Sequence, residues 1–363
     1  MLIKDIKVGH YRIPLPTVLS DSTHGDMSNF ELITVRLYSD AGAEGVGYTY
    51  TVGSGGDAVR SLIERDLKPL LINADPQRIE QLWEQMWWRL HYVGRGGIAV
   101  FAISAVDIAL WDMKGRKQGE PFWRLLGGHR NKVKAYAGGI DLQFTLEKLC
   151  EQTRTNLKKG FHAIKMKVGR EKLSEDISRV KAIRELIGPD IALMVDVNMQ
   201  WSVDVAIRAA RALQDYNIYW LEEPTIPDDV KGHARIAREG GLPIATGENL
   251  HSIYEFQSMI EYGCISFPEP DVSNIGGVTG WMRVARLAQA NNLPVTSHGV
   301  HDLHVHLLSA VPNASYLEVH GFGLERFIEN PLQIEDGKAL ATDRPGHGVV
   351  FKWEALDEHK SRD

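Results

Sequence analysis

Between Lys165 and Glu318, ionisable residues close short apolar runs at nearly even intervals, and this rhythm constrains the fold more than any other feature of the chain. Lys165 and Lys167 follow Phe161-His162-Ala163-Ile164. Asp196 follows Ala192-Leu193-Met194-Val195, Glu222 follows Tyr219-Trp220-Leu221, and Glu248 follows Ile244-Ala245-Thr246-Gly247. Asp271, His298 and Glu318 continue the series. Asp196, Glu222 and Glu248 stand 26 residues apart, about the length of one strand and its crossover helix. A β-rich run ending on a charge is unusual for a solvated face, because charges are seldom buried unless paired or bound to metal. At the carboxyl ends of the strands of a (β/α)8 barrel, however, such residues converge on one site.

The helical patterns between these runs support that reading: Leu146 to Lys159, Ser174 to Leu186, Val203 to Tyr216, His233 to Glu239, Ser252 to Tyr262 and Gly280 to Asn291. Each leads to a short apolar strand, the βαβ signature, starting with Val133 to Tyr136. Residues 1–125 differ. Ile3 to Ile13, Glu31 to Tyr38 and Gly45 to Tyr50 read as strands, followed by helices over Ala58 to Leu71, Ile79 to Leu90 and Ile98 to Met113. Strands first and helices second make an α+β unit, with a boundary near Gly127-Gly128-His129-Arg130. The barrel then spans 126–320. The Gly- and Pro-containing segment 321–363 breaks the rhythm.

A chain of 363 residues with 44% hydrophobic and 24% charged residues can bury a sizeable core. Its formal charge of −6, with no basic block, offers no footprint for nucleic acid or an anionic membrane. No run of about 18 apolar residues suits a membrane span, and the N-terminus lacks a secretory h-region, so a cytoplasmic protein is expected. Cys150 and Cys264 are too few for a disulfide framework and read as free thiols.

Asp196, Glu222 and Glu248, on consecutive strands, would sit side by side. Three hard oxygen ligands without Cys or His suit Mg(II), or Mn(II), better than zinc. Separate salt bridges are the alternative. Asn198 shares the parity of Asp196 and can support metal or substrate, whereas alternation turns Glu223 away from Glu222. Lys165 and Lys167 also share parity; two close cations with a metal nearby depress each other's pKa, and a neutral lysine near physiological pH is a general base. An Asp271 to His298 hydrogen bond across neighbouring strands would fix the imidazole tautomer.

Lys165-Met166-Lys167, Asp196-Val197-Asn198, Trp220-Leu221-Glu222-Glu223-Pro224, Gly247-Glu248-Asn249, Asp271 with Ile275-Gly276-Gly277-Val278-Thr279-Gly280, Ser297-His298 and Leu317-Glu318 together resemble the enolase superfamily, and within it the mandelate racemase subgroup. The resemblance covers essentially the whole chain. It implies a modified (β/α)8 barrel, (β/α)7β, beneath a capping domain built from the N-terminal region and the C-terminal tail. It implies Mg(II) on Asp196, Glu222 and Glu248, Lys167 as a base on one face of the substrate, the His298–Asp271 dyad on the other, and Lys165 against the substrate carboxylate. Glu318 would be the protonated acid that donates to that carboxylate as an enediolate forms. Homo-oligomers, octamers among them, are usual in such proteins. No lysine occurs between Gly263 and Gly280, where the muconate-lactonising subgroup carries its second base.

Substrate choice in this subgroup resides largely in mobile loops of the cap. The stretch Leu19 to Asn29 reads as a polar loop, offering Asp21, His24 and Asp26, and points to a polyhydroxylated acid. The neighbouring stretch from Ile13-Pro14-Leu15-Pro16 to Ser20-Asp21, and the later Leu303 to Leu307, look similar to galactarate and talarate dehydratases. Arg95 can bind a distal carboxylate or anchor a turn. Tyr48 and Tyr50 can close the pocket or pack in the core. His301 lies near the mouth, while His304 and His306 read as structural. The expected activity is Mg(II)-dependent dehydration of an aldarate such as galactarate or talarate. Racemisation of a 2-hydroxy acid is the first alternative, and a non-catalytic sugar-acid binder the second.

Overall fold

Three antiparallel strands open the chain: β1 (Ile3–Asp21), β2 (Gly25–Ser39) and β3 (Glu44–Thr51), in the order β1-β2-β3. The computed structural model describes residues 1–361. The stretch expected to be a loop, Leu19 to Asn29, is instead a tight hairpin in which Leu19 pairs with Met27 and Asp21 with Gly25. A backbone ladder needs no apolar side chains, so polar residues hid it.

A helical layer follows. α1 (Gly56–Leu62), a π-helical turn (Ile63–Leu67) and α2 (Lys68–Leu71) form one run. Pro69 has no N–H to donate back, and the ladder widens just ahead of it. Next come α3 (Ile79–Leu90) and α4 (Ile98–Gln118). The latter is buried almost all round, which is why periodicity alone ended it early at Met113. Gly45 and Gly47 let it seat on β3: a Cβ there would lie 2.2 and 2.0 Å from the carbonyl oxygens of Ala109 and Ala105. The short α5 (Phe122–Leu125) leads out of the cap.

The barrel alternates β4 (Lys132–Gly138), α6 (Leu146–Lys158), β5 (Ala163–Lys167), α7 (Leu173–Ile187), β6 (Ala192–Asp196), α8 (Val203–Leu213), β7 (Ile218–Glu222), α9 (Val230–Gly240), β8 (Ile244–Thr246), α10 (Ile253–Glu261), β9 (Phe267–Pro268), α11 (Gly277–Ala290), α12 (His301–Ala310) and β10 (Tyr316–His320). β4 to β9 are parallel neighbours in order, and β10 pairs with β4. The remaining gap is bridged by Val295-Thr296: Thr296 N–H donates to Pro268 O at 2.9 Å, and Ser315 N–H to Val295 O at 2.8 Å. Asp271 and His298 therefore lie beyond very short pairings and not at the ends of full strands. Pro268, Pro270 and Pro294 carry no N–H, and the ladder cannot continue through them. Inside, Tyr136, Ala163, Met194, Trp220 and Ala245 fill the barrel beneath the charged layer.

The tail first pairs with the barrel through β11 (Ile334–Glu335) and β12 (Lys338–Leu340), the latter antiparallel to β4. It then returns to the cap past α13 (Trp353–Asp357), where Arg12 N–H donates to His359 O at 2.8 Å.

Cap and barrel are joined at the N-terminus of α11. Ser104 Oγ of α4 accepts from Gly276 and Gly277 N–H at 2.9 and 3.0 Å, and Asp107 accepts from Thr279 N–H and Oγ1 at 2.9 and 2.7 Å. A cap helix thus supplies the N-cap of a barrel helix. Gly276 and Gly277 adopt φ of 89° and 75°, and a Cβ on Gly277 would lie 2.5 Å from Asp107 Oδ2. The Gly-Gly pair serves this joint. Among the described residues, no helix is long and apolar enough to cross a membrane. Cys264 is buried and Cys150 half-buried, both free.

Candidate active site at the barrel mouth

The parallel register places the strand ends level: Lys167 pairs with Asp196, and Asp196 with Glu222. Asp196, Glu222 and Glu248 bring one carboxylate oxygen each to within 4.8 Å of one another. Burial, first, and Asp196, second, push the Glu222 carboxyl well above its ordinary range. Such crowding calls for a cation, and the all-oxygen donor set fits Mg(II). Each of the three residues is held: Asn198 N–H donates to Asp196 Oδ1 at 2.9 Å, Trp220 Nε1–H to Glu222 Oε2 at 2.9 Å, and Asn274 Nδ2–H to the Glu248 backbone carbonyl at 2.7 Å.

Lys165 reaches Glu222, Glu318 Oε1 at 2.8 Å and Asp196 Oδ2 at 3.4 Å, while Lys167 is paired with Asp196. The sequence reading expected these lysines, with a metal nearby, to depress each other, and Lys165 does act downward on Lys167. Burial does act downward on both, but the carboxylates outweigh it and raise both above the ordinary lysine value. Each ammonium meets more negative than positive charge. Glu318 is also corrected. Burial alone would raise it, yet Lys165, His320 and His298 hold it well below the usual carboxylate range, and its Oε2 accepts from Gly299 N–H at 2.9 Å. These neighbours by themselves draw it in the opposite direction from the raised value expected.

His298 Nδ1 lies 3.1 Å from Asp271 Oδ2, as the spacing suggested, and its Nε2 lies 3.2 Å from Glu248 Oε2. Burial lowers the imidazole; Glu248 and Asp271 carry it up to about 10. Asp271 Oδ1 accepts from Ser273 N–H and Oγ–H, both at 2.8 Å.

Residues that periodicity could not reveal also converge here. Tyr50 Oη donates to Asp271 Oδ2 at 3.1 Å. Glu223 does not turn away as alternation demanded. β7 ends at Glu222, Glu223 takes φ of 41°, and its buried carboxyl accepts from Asn249 Nδ2–H at 2.8 Å. His320 stacks obliquely 5.8 Å from His298; its same-strand parity with Glu318 was the available signal.

A cavity of about 320 Å³ opens from Glu248 and His298 toward the cap, with His24 on its wall. His24 Nδ1 is 2.8 Å from Asp21 Oδ2; the hairpin tip is tied down by Ser22 Oγ–H to Val197 O at 2.6 Å and by Thr23 Oγ1–H to Asn198 O. Asn198 is buried, with φ of 47°. Asp26 is exposed on β2, and Arg95 is exposed in the turn before α4, outside the cavity lining. Tyr48 is fully buried against Phe351, with ring centroids 5.2 Å apart, because two residues along β3 carry it away from the mouth and under the tail. His301 heads α12 beside Asp302, its Nε2 3.5 Å from Oδ2. His304 accepts from Val272 N–H at 3.0 Å and is structural. His306 is buried against Phe122, likewise structural.

With this geometry established, comparison with known proteins is decisive. Residues 4–127 match the mandelate racemase/muconate lactonizing enzyme N-terminal domain, and residues 148–355 match the enolase C-terminal domain-like family. The chain belongs to the mandelate racemase/muconate lactonizing enzyme family of the enolase superfamily. A family member from Streptomyces coelicolor, 3,6-anhydro-alpha-L-galactonate cycloisomerase, is 56% identical over 98% of both chains. L-talarate/galactarate dehydratase from Salmonella typhimurium is 34% identical over 97% of this chain and 90% of its own. A racemase from Streptomyces coelicolor, solved with bound magnesium, superposes with a TM-score of 0.97 at 54% identity, covering 99% of this chain and 100% of that one. The family's α/β fold, a curled, parallel-rich sheet beneath an antiparallel cap, is the one described above.

Proposed function

We propose that this enzyme opens a 3,6-anhydro aldonate by removing the proton α to its carboxylate and expelling the ether oxygen on the β carbon. The observation that carries this reading is the distal wall of the cavity. It presents Val52, Val59, Ile98 and Phe101, and among the described residues no lysine or arginine lines it. An aldarate brings a second carboxylate, which would need a charged partner there, since an unpaired buried charge is costly. A monoacid carrying a cyclic ether does not. The 56% identical cycloisomerase acts on a substrate of this kind by its name.

Dehydration and ring opening are one reaction here. Both remove an α proton and break a β C–O bond, but the ether oxygen stays tethered and the product is an isomer of the substrate. Asp196, Glu222 and Glu248 would hold magnesium, which when bound supplies positive charge against the substrate carboxylate as the weakly acidic proton leaves. Lys165, fixed among Glu222, Glu318 and Asp196, adds a cation at the same end. Lys167 and His298 would flank the substrate as bases once a cation held by Asp196, Glu222 and Glu248 offsets the carboxylate charge that otherwise raises both groups, with Asp271 and Tyr50 orienting the imidazole. Glu318 orients Gly299 beside His298.

The polar hairpin tip with His24 favours a second reading, dehydration of a galactarate-like acid, as in the 34% identical relative. Proton NMR in deuterated buffer with Mg(II) tests both. A 2-keto-3-deoxy acid should form from 3,6-anhydro-L-galactonate. Product from galactarate or talarate alone would replace the ring-opening reading with the dehydratase one. Inversion of an α centre without a keto product would make the enzyme a racemase.

A further inference from the structure

The cap contributes a second imidazole–carboxylate pair to the cavity. His24 Nδ1 is engaged by Asp21 Oδ2 at 2.8 Å, so Nε2 is the ring nitrogen left for the cavity that His24 lines with Glu248 and His298. Asp21 is buried while the His24 side chain is 40% exposed, as a group facing an open cavity should be. The pair is held over the barrel by the hairpin's bonds to Val197 and Asn198.

Position separates His24 from the other ionisable groups of the lining. Tyr50 is bonded to Asp271, and Glu248 and His298 face each other at the metal end. In the ring-opening reading Lys167 and His298 address the α carbon. The β carbon, one bond farther from the carboxylate, would then lie toward the cap, and its oxygen leaves as a strong base unless protonated. We propose that His24, oriented by Asp21, is the general acid that protonates the departing β oxygen. This rests on the ring-opening reading above.

The step balances. The base at C2 takes the α proton, the C–H electron pair becomes the C2–C3 double bond, and the C3–O bond breaks as its oxygen takes the Nε2 proton. In a 3,6-anhydro acid that oxygen becomes the C6 hydroxyl. With a free β hydroxyl, the same transfer releases water. The enol tautomerises to the 2-keto-3-deoxy acid, and proton exchange with solvent resets His24 and the base. Asp21 raises the imidazole's affinity for its proton, assisted by Glu248 and opposed by burial and by Lys167.

The test compares leaving groups in the Mg(II)-loaded protein. His24→Asn should slow ring opening of 3,6-anhydro-L-galactonate roughly 100- to 10,000-fold, the range of general acid catalysis, and leave α-proton exchange in deuterated buffer in place. Fluoride needs no proton to depart, so elimination from the matching 3-deoxy-3-fluoro aldonate should change by no more than about threefold. Equal slowing of both substrates, or of neither, overturns the proposal. Failure of the wild-type protein to eliminate fluoride counts instead against the reaction class and takes this proposal down with it. Asp21→Asn should move the high-pH limb of ring opening to lower pH, His24 being faced by Asp21, Glu248 and Lys167; an unmoved limb denies Asp21 its positioning role.

Discussion

Asp107 is the buried charge on which the cap–barrel joint turns, and replacing it with Asn should change how stability depends on pH. The residue is fully buried on α4, and burial raises its carboxyl to about 7 despite the two hydrogen bonds from Thr279. In the unfolded chain an ordinary Asp titrates near 3.9. Between those values the folded state holds a proton that the unfolded state has released, so stability falls as pH rises and levels off above about 7. Each unit is worth about 1.4 kcal/mol, so two units between pH 5 and the folded value amount to about 3 kcal/mol. Other groups contribute to the wild-type profile, and the useful quantity is the difference between proteins. Urea unfolding followed by tryptophan fluorescence, at pH 5 and pH 8, for wild type and Asp107→Asn, should show the variant gaining about 3 kcal/mol relative to wild type at the higher pH. Ser104→Ala removes the acceptor for Gly276 and Gly277 without a titrating group and should cost about 1–2 kcal/mol equally at both pH values. A wild-type-minus-Asp107→Asn difference that stays constant from pH 5 to pH 8 would refute the reasoning, because it would mean the carboxyl titrates alike in both states.

Gly277→Ala combines a left-handed φ with a Cβ 2.5 Å from Asp107 Oδ2 and should destabilise by about 2–4 kcal/mol; a loss below about 1 kcal/mol in the same unfolding assay would show that α4 can draw back. Lys167→Ala and His298→Asn should each abolish net conversion, with one of them keeping α-proton exchange for the configuration its surviving base can reach; wild-type turnover in both removes the two-base arrangement. Glu222→Gln should weaken Mg(II) binding measured by calorimetry, and an unchanged affinity would take Glu222 out of the ligand set. Chelation with EDTA should abolish turnover and Mg(II) should restore it; activity that persists through exhaustive chelation contradicts the assignment of the three carboxylates.

Strand-end chemistry was legible because each functional group sits at the end of its own βα unit. The chain repeats itself, and the repeat is written in spacing. Lys165, Lys167, Asp196, Glu222, Glu248 and Glu318 were readable for that reason. Asp271 and His298 kept the spacing even though prolines shorten the ladders beside them. The failures share a cause. Glu223 and His320, and the pairings of Tyr50 with Asp271 and of Asp21 with His24, owe their geometry to a backbone that departs from the period, or to contacts between residues far apart in sequence. Tyr48 and Tyr50 have the same chemistry and parity, yet two residues of strand send one under the tail and the other to Asp271.

By itself the sequence determined a barrel, three carboxylates able to hold a divalent cation, two lysines and an Asp–His pair, since strand and helix periods place those groups whatever lies above them. Tertiary structure alone decided what surrounds them. Only packing set the carboxylates against Lys165 and Lys167, drawing Glu318 down and both lysines up, because charge state depends on through-space neighbours and burial. Only the docking of the cap built the apolar distal wall, through Ser104, Asp107 and the Gly276-Gly277 pair, and brought His24 over it, through Ser22 and Thr23. On the proposed reading that wall selects the substrate, and its residues come from parts of the chain that no local pattern connects.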